Sequence, residues 1–358
     1  MPKVLFIASH RPNRSPSQRF RFEQYLEYLK DKGWDYDFSY LISEKDDVYF
    51  YKKGHLLQKI FTIIKAWFIR LKDVLKASKY DVIFIQREAF LTGTTFFEKR
   101  FANSSAKLIY DFDDSIWLSN VSDANAKWNW LKNPNKTKQI IAIADLVFAG
   151  NAYLANYAQK VNSNVVIVPT TIDTDEYRKI PMKNKKICIG WSGSITTIQH
   201  FEYAIPFLKE IKDKYGDLIE IKVIGDKNYQ NDELGIIGID WSKENELKEL
   251  SSFDIGIMPL PNDEWSSGKC GLKGLQYMAL EIPTIMSPVG VNTEIITDGE
   301  NGFLAASQEE WIEKIAKLID AVELRTQMGK NGRETVKEKY AVESNKNIYL
   351  TSFNQLIS

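Results

Sequence analysis

What most constrains this chain is a rhythm: short apolar runs, each too short for a buried helix, alternate with longer stretches of helical period, and the series occurs twice. The first series holds "KVLFIA" near the start, "DVIFIQ" from Asp81, "KLIYDF" from Lys107, "DLVFAG" from Asp145 and "NVVIVP" from Asn164. Runs that are apolar on both faces and bounded by helical patterns predict strands of an open parallel α/β sheet covered on both sides. The stretch "TTIDTDEYRKIPMKNKK" then loses the periodicity, contains Pro181 and ends in a lysine run, which predicts a linker over 171–186. A second series follows, with "ICIGWSGS" from Ile187, "IEIKVIG" from Ile219, "FDIGIMPL" from Phe253 and "PTIMSPVG" from Pro283. At 358 residues the chain is also too long for one ordinary core. The expectation is two doubly wound Rossmann-like domains, 1–170 and 187–335, with a last helix in 336–358 crossing back onto the first. Open α/β sheets bind ligands beyond the carboxyl ends of their strands, so the site is expected in an interdomain cleft.

Composition narrows the function classes. Lys+Arg and Asp+Glu both number 47, so no global field favours nucleic acid, and any basic site must be local. Cys188 and Cys270 are the two cysteines, too few for a disulfide framework or a cysteine zinc site. His10, His55 and His200 include no pair at metal-ligand spacing, and no metal is expected. The first apolar run is too short for a signal peptide, and no run reaches the roughly 18 apolar residues of a spanning helix. A cytoplasmic protein is expected.

Within the second series, "GKCGLKGLQYMALEIP" places a glycine loop directly before a helix that starts near Gly271. The first N–H groups of such a helix lack intrahelical acceptors and favour an anion, and Lys269 and Lys273 add full charges beside them. A turn "PVGVN" and the segment "TDGENGF" follow. Together, "GLKGLQYMALEIPTIMSPVGVNTEIITDGENGF" resembles the donor motif of the retaining GT-B glycosyltransferases of family 4, with Pro283, Gly290, Glu294, Asp298, Gly299, Asn301 and Gly302 matching. The family's two motif glutamates fall on Gly268 and Gln276. The resemblance implies that Gln276 meets the ribose of a nucleotide diphosphate sugar without a charge, and that Gly290 and Glu294 belong to the same donor site. The family's basic pair after the first strand of this domain is missing. Gly193 and Ser194, in "GWSGSITT", offer turn N–H and hydroxyl groups there, with Lys269, Gly271 and Lys273 making up the deficit.

The first series has its own loaded loops. In "SHRPNRSPSQRFRF", Ser15 and Pro16 fit the start of a helix whose buried stripe runs through Phe22, Tyr25, Leu26 and Leu29. Arg19 continues that stripe and is expected to face the cleft as a phosphate ligand, whereas Arg21 lies off it and is expected in solvent or paired with Glu23. In "LIYDFDDSIW", Asp111, Asp113 and Asp114 stand at a strand end. A DxD there also marks the metal-dependent GT-A glycosyltransferases. Its place within the family 4 pattern implies instead a loop facing acceptor and donor sugar, with Asp113 and Asp114 catalytic and Asp111 and Arg87 on the acceptor side.

Residues 51–80 carry eight Lys or Arg against one acid, Asp73. Leu57, Ile60, Phe61, Ile64, Trp67, Phe68 and Leu71 run between them at helical spacing. That pattern predicts a helix buried on its apolar stripe with lysines outside, or a basic amphipathic surface for anionic lipid. The family resemblance implies a glycosyltransferase acting on a glycan, lipid-linked or protein acceptor, with retention and without a cofactor. Its alternatives are a GT-B sugar-nucleotide epimerase and a non-catalytic sugar-nucleotide-binding module.

Overall fold

A computed structural model describes residues 1–118 and 133–358. The chain divides into two compact units, Met1–Thr170 with Asn345–Ser358, and Thr171–Ser344.

The first unit is built on a six-stranded parallel sheet of order β2-β1-β3-β4-β5-β6. Its strands are β1 (Lys3–His10), β2 (Asp35–Ile42), β3 (Val82–Gln86), β4 (Lys107–Phe112), β5 (Leu146–Ala149) and β6 (Val165–Ile167). All five expected strands are present. The unforeseen one, β2, interleaves Asp35, Asp37 and Ser39 with apolar residues because it pairs only with β1, at the sheet edge, where polar side chains stay wet. Lys3 bridges Asp35 and Asp37 at 3.2 and 3.0 Å along that edge. Phe6, Phe22 and Phe84 pack together over the sheet, Phe6 stacking on Phe22 at a centroid separation of 4.9 Å. Tyr349 and Phe353 of the C-terminal helix (Val342–Ile357) join this aromatic core, and the Tyr349 hydroxyl donates to the Arg21 carbonyl at 2.6 Å.

The 51–80 segment does form a long helix, Leu56–Leu75, but mounted the other way round from the expected burial. Its buried residues are Lys59, Thr62, Ala66 and Arg70, while Leu57, Phe61, Ile64, Phe68 and Leu75 are exposed. The reason is what the polar side chains find beneath them. Arg70 is fully buried and donates to the carbonyls of Ala8 and Ala89 at 2.8 and 2.6 Å and to Ser39 and Asp73 at 2.8 Å. Thr62 and Lys65 both reach Asp46, a residue of the capping box that starts the preceding helix, Glu44–Phe50. A buried cation with four acceptors is satisfied, and it ties the helix to the strand ends of β1 and β2.

The second unit holds a five-stranded parallel sheet of order β13-β12-β11-β7-β8. Its strands are β7 (Ile187–Ser192), β8 (Ile219–Ile224), β11 (Ile255–Met258), β12 (Thr284–Met286) and β13 (Phe303–Leu304), with a short antiparallel pair, β9 (Gln230–Asn231) and β10 (Ile236–Ile237), outside it. Ile189, Trp191, Ile257, Ile285 and Trp311 belong to its core, where Phe207 stacks on Trp311 at 4.7 Å. The stretch expected as a linker is drawn into this unit: Ile172 bridges to Ala341, and Tyr177 is buried with its hydroxyl on Glu246 at 2.7 Å. In both sheets the strand order reverses beside the first strand, between β1 and β3 and between β7 and β11. Strand-end loops diverge at such a reversal and leave room for a ligand.

Candidate functional site

In the first unit the reversal lies beneath the loops that follow β1, β3 and β4. Three of the five charges expected there, Arg87, Asp113 and Asp114, pair with one another. Arg87 donates from Nε to Asp113 Oδ1 at 2.8 Å and stands 3.7 Å from Asp114. Its backbone is left-handed, φ 63°, a strained conformation for arginine, held by its N–H on the Asp111 carbonyl and by the Tyr110 hydroxyl on its own carbonyl, both 2.8 Å. Ser17 donates to the Asp113 carboxylate, 2.6 and 2.7 Å from its two oxygens, and in turn accepts from Gln86 at 2.7 Å. Burial pushes the Asp113 carboxyl up, but Arg87, Arg21 and Ser17 outweigh it and hold it below the ordinary carboxylate value. The result is an ionised carboxylate in a fixed orientation.

Two expectations are corrected here. Arg21 is neither solvated nor paired with Glu23: it is buried, its guanidinium bidentate on Asp111 and donating also to the Val168 carbonyl. Asp111 is equally buried and spent on Arg21, so it does not face an acceptor. Burial pushes its carboxyl up while Arg21 pulls it down. The physical reason is that residues off the helix stripe turn toward the sheet once the helix is short, and this one runs only over Pro16–Arg19. Arg19 itself is buried, its guanidinium 4.9 Å from the Phe20 ring.

In the second unit the loops after β7, β11 and β12 meet at the helix Leu272–Ala279. Gly271 precedes that helix in the left-handed conformation, φ 70°, and a Cβ there would strike Ile295 and approach the Asn292 Oδ1. Gly290, φ 55°, turns against the backbone of Ser267, where a Cβ would come within 2.7 Å of a carbonyl oxygen. Both glycines hold loops tightly around the helix start. Gly193 is packed as closely, beneath Trp191 and Thr197, and Ser194 caps the turn that follows it. Tyr277 reaches back along the helix to accept from the Ser192 N–H at 2.7 Å, so the helix and the end of β7 move as one piece.

Lys273 Nζ lies 5.0 Å from the Trp191 ring, and Lys269 Nζ lies 4.9 Å from the Trp265 ring. Around these two cations sit buried polar atoms with no hydrogen-bond partner among the described residues: Trp191 Nε1, His200 Nδ1, Ser266 Oγ and Asn292 Oδ1. Burial, with Lys273 and Lys269 adding to it, lowers the His200 pKa to about 4, so the imidazole is neutral. A buried polar group without a partner costs about 1–3 kcal/mol, and four of them lie near this one helix start. Nearby, a hollow of about 390 Å³ is walled by Pro206, Pro259, Leu260, Pro288 and Val289, with Asn262 and Ser287 as polar points. Glu294 is exposed beside this loop system.

Gln276 has a different place from the one expected. It is buried, and its amide nitrogen donates inward to Tyr177 at 3.1 Å and Glu246 at 3.3 Å. Glu246 also accepts from Trp241 at 2.9 Å. This explains the absent charge at position 276, because a glutamate there would set one buried carboxylate against another. Glu246, Trp191, His200, Ser17 and Asn292 all escaped sequence reasoning. Among the described residues no cluster of three or more His, Cys, Asp or Glu could hold a metal ion.

Residues 173–335 match the family model for glycosyl transferases of group 1. The chain is 28% identical over 177 residues to the capsular polysaccharide biosynthesis glycosyltransferase CapM of Staphylococcus aureus, a match covering 47% of this chain and 45% of that protein. The chain spans between 20% and 45% of the length of the curated relatives it matches. Among solved structures it is similar to sucrose-phosphate synthase of Thermosynechococcus elongatus, with a TM-score of 0.72 at 14% identity over 99% of both chains. It is also similar to HepE of Anabaena solved with UDP and glucose, with a TM-score of 0.67 at 13% identity over 99% of this chain and 100% of that one. These likenesses establish the GT-B type of α/β fold.

Proposed function

With residues 173–335 matching the family model for glycosyl transferases of group 1, we propose that the protein transfers a sugar from a nucleotide diphosphate donor to an acceptor hydroxyl in glycan assembly. The observation that carries this is the start of the Leu272–Ala279 helix, where two lysines and four unpartnered buried polar atoms surround glycine turns. A diphosphate fits part of this pattern: it lies beside Lys269 and Lys273, accepts from the Trp191 N–H and the Ser266 hydroxyl, and takes the helix N–H groups, whereas the Asn292 Oδ1 needs a donor from another group. The hollow beside Val289, with apolar walls and Asn262 and Ser287 as polar points, suits a nucleobase. The relatives supply the class. CapM acts in capsular polysaccharide biosynthesis by its name, and HepE was solved with UDP and glucose.

In this reading Asp113 and Asp114 serve the transfer. Asp113, ionised and locked by Arg87 and Ser17, steadies positive charge that develops on the sugar, or orients the acceptor hydroxyl. The acceptor oxygen bonds to the anomeric carbon on the face from which the phosphate leaves, and the departing phosphate receives its proton, so configuration is retained without a metal. The acceptor is a glycan on a lipid carrier, reached at the inner face of the cell membrane with residues 51–80 toward it.

The test is calorimetry with nucleoside diphosphates and their sugars, in EDTA. Binding to the parent is expected, and Lys273→Ala should weaken it by about 1.5–3 kcal/mol, the range for a charge-assisted hydrogen bond. A parent that binds no nucleotide, or a variant with unchanged affinity, overturns the donor site.

A further inference from the structure

The helix Leu56–Leu75 is inside out. Leu57, Phe61, Ile64, Phe68, Leu71 and Leu75 follow one another at steps of four and three, so they form one straight ridge along its length, and all six are exposed, from 37% to 79%. The opposite face carries the polar residues Lys59, Thr62 and Arg70, each hydrogen-bonded into the protein. An ordinary surface helix has the reverse arrangement. Soluble proteins rarely leave an apolar strip of this length uncovered.

We infer that this ridge is a lipid-docking surface, lying flat in the headgroup region of an anionic bilayer. This deepens the membrane part of the reading above and rests on it. Three features select the occupant. The flank of the ridge is basic: Lys72 lines the same shallow groove as Phe61, Ile64 and Phe68, while Lys52, Lys53, Lys76 and Lys79 are exposed just before and after. The single acid of the region, Asp73, is taken by Arg70 and Ser39, so no negative side chain of residues 51–80 opposes an anionic surface. A second copy of this chain would bring the same lysines against themselves, whereas anionic headgroups neutralise them and acyl chains cover the ridge. The helix cannot span, because its polar face is engaged along its whole length, and among the described residues no helix is long and apolar enough to cross a membrane. Phe61, Phe68 and Trp67, the last packed on Phe96 and Phe97, give the ridge the aromatic residues that favour the interface.

The experiment is flotation of the full chain with vesicles of phosphatidylglycerol and phosphatidylcholine, against pure phosphatidylcholine, without donor or acceptor. Binding is expected on the anionic vesicles, at least tenfold stronger than on the neutral ones and weakened by salt. Phe61→Gln with Phe68→Gln should lower it tenfold or more, and Lys72→Glu with Lys76→Glu should remove the preference for anionic lipid. These residues are exposed, so the variants should melt as the parent does and bind nucleotide equally. Equal partition of parent and variants, or no binding to either vesicle, overturns the inference. So does a parent dimer that Phe61→Gln dissociates, which would make a second copy the occupant. Vesicle binding that fails while nucleotide binding persists sinks this inference alone; nucleotide binding that fails sinks the donor reading and leaves the docking face standing or falling on the vesicles.

Discussion

The strand-end loops of the two units make opposite use of polar groups. In the first unit Arg21 closes on Asp111, and Arg87 with Ser17 closes on Asp113, each within hydrogen-bond distance. In the second, Trp191, His200, Ser266 and Asn292 keep buried polar atoms without partners near two lysines. Both arginines of the first cluster already have carboxylate partners, without a guest. The second holds buried polar atoms without protein partners, at a cost in folding stability. On the proposed function, the first set of loops orients and the second receives.

That contrast can be broken most severely at the buried pair. Asp111→Asn leaves the Arg21 guanidinium buried without its counter-charge, and the expected loss is about 3–5 kcal/mol of folding stability in denaturant melts. Replacing both at once, Arg21→Met with Asp111→Leu, should cost much less. A single variant as stable as the parent would show that the first cluster is not self-neutralised.

The next effect is on rate. Asp113→Asn keeps the size and the Ser17 contact but removes the charge, so kcat should fall by about a hundredfold, roughly 2.7 kcal/mol, while donor affinity holds and the melting temperature drops with the loss of the Arg87 counter-charge. Transfer kinetics beside thermal melts check it. A folded variant with parental kcat would leave Asp113 as a structural carboxylate, and the division between orienting and receiving loops would lose one half.

The smallest effect sharpens the comparison through pH. Burial lowers His10 in the first unit and His200 in the second to about 4, with Arg14 adding to the first and Lys273 and Lys269 to the second. Each is neutral when folded and takes a proton near 6.5 when unfolded. The stability that each contributes is therefore complete above pH 6.5 and drains away as pH falls toward 4. His200→Gln should flatten that slope, by about 1–2 kcal/mol over the window. Bound UDP should also flatten it, because a diphosphate beside His200 favours the imidazolium, whereas the His10 share of the slope should not change. Melts against pH, with and without UDP, would undo the assignment if nucleotide left the His200 share intact.

The sequence by itself determined the two parallel sheets, because a run apolar on both faces has nowhere to go except between layers of helix. It also determined the glycine turns around the Leu272–Ala279 helix, since Gly271 and Gly290 adopt left-handed backbone against close neighbours where a side chain would clash. The edge strand β2 was hidden by its half-polar alternation. What only the tertiary structure decided was where each charge ends. Arg21 and Asp111 are 90 residues apart, and the choice between water and burial for one depends wholly on the other. Glu246, 30 residues from Gln276, sets the uncharged state of that position, and Ala8, Ser39 and Ala89 draw Arg70 inward and so turn an apolar ridge out. Hydrophobic periodicity says that a helix has two faces. Which face is buried follows from the polar partners already waiting underneath, and those are assembled by the fold from distant parts of the chain.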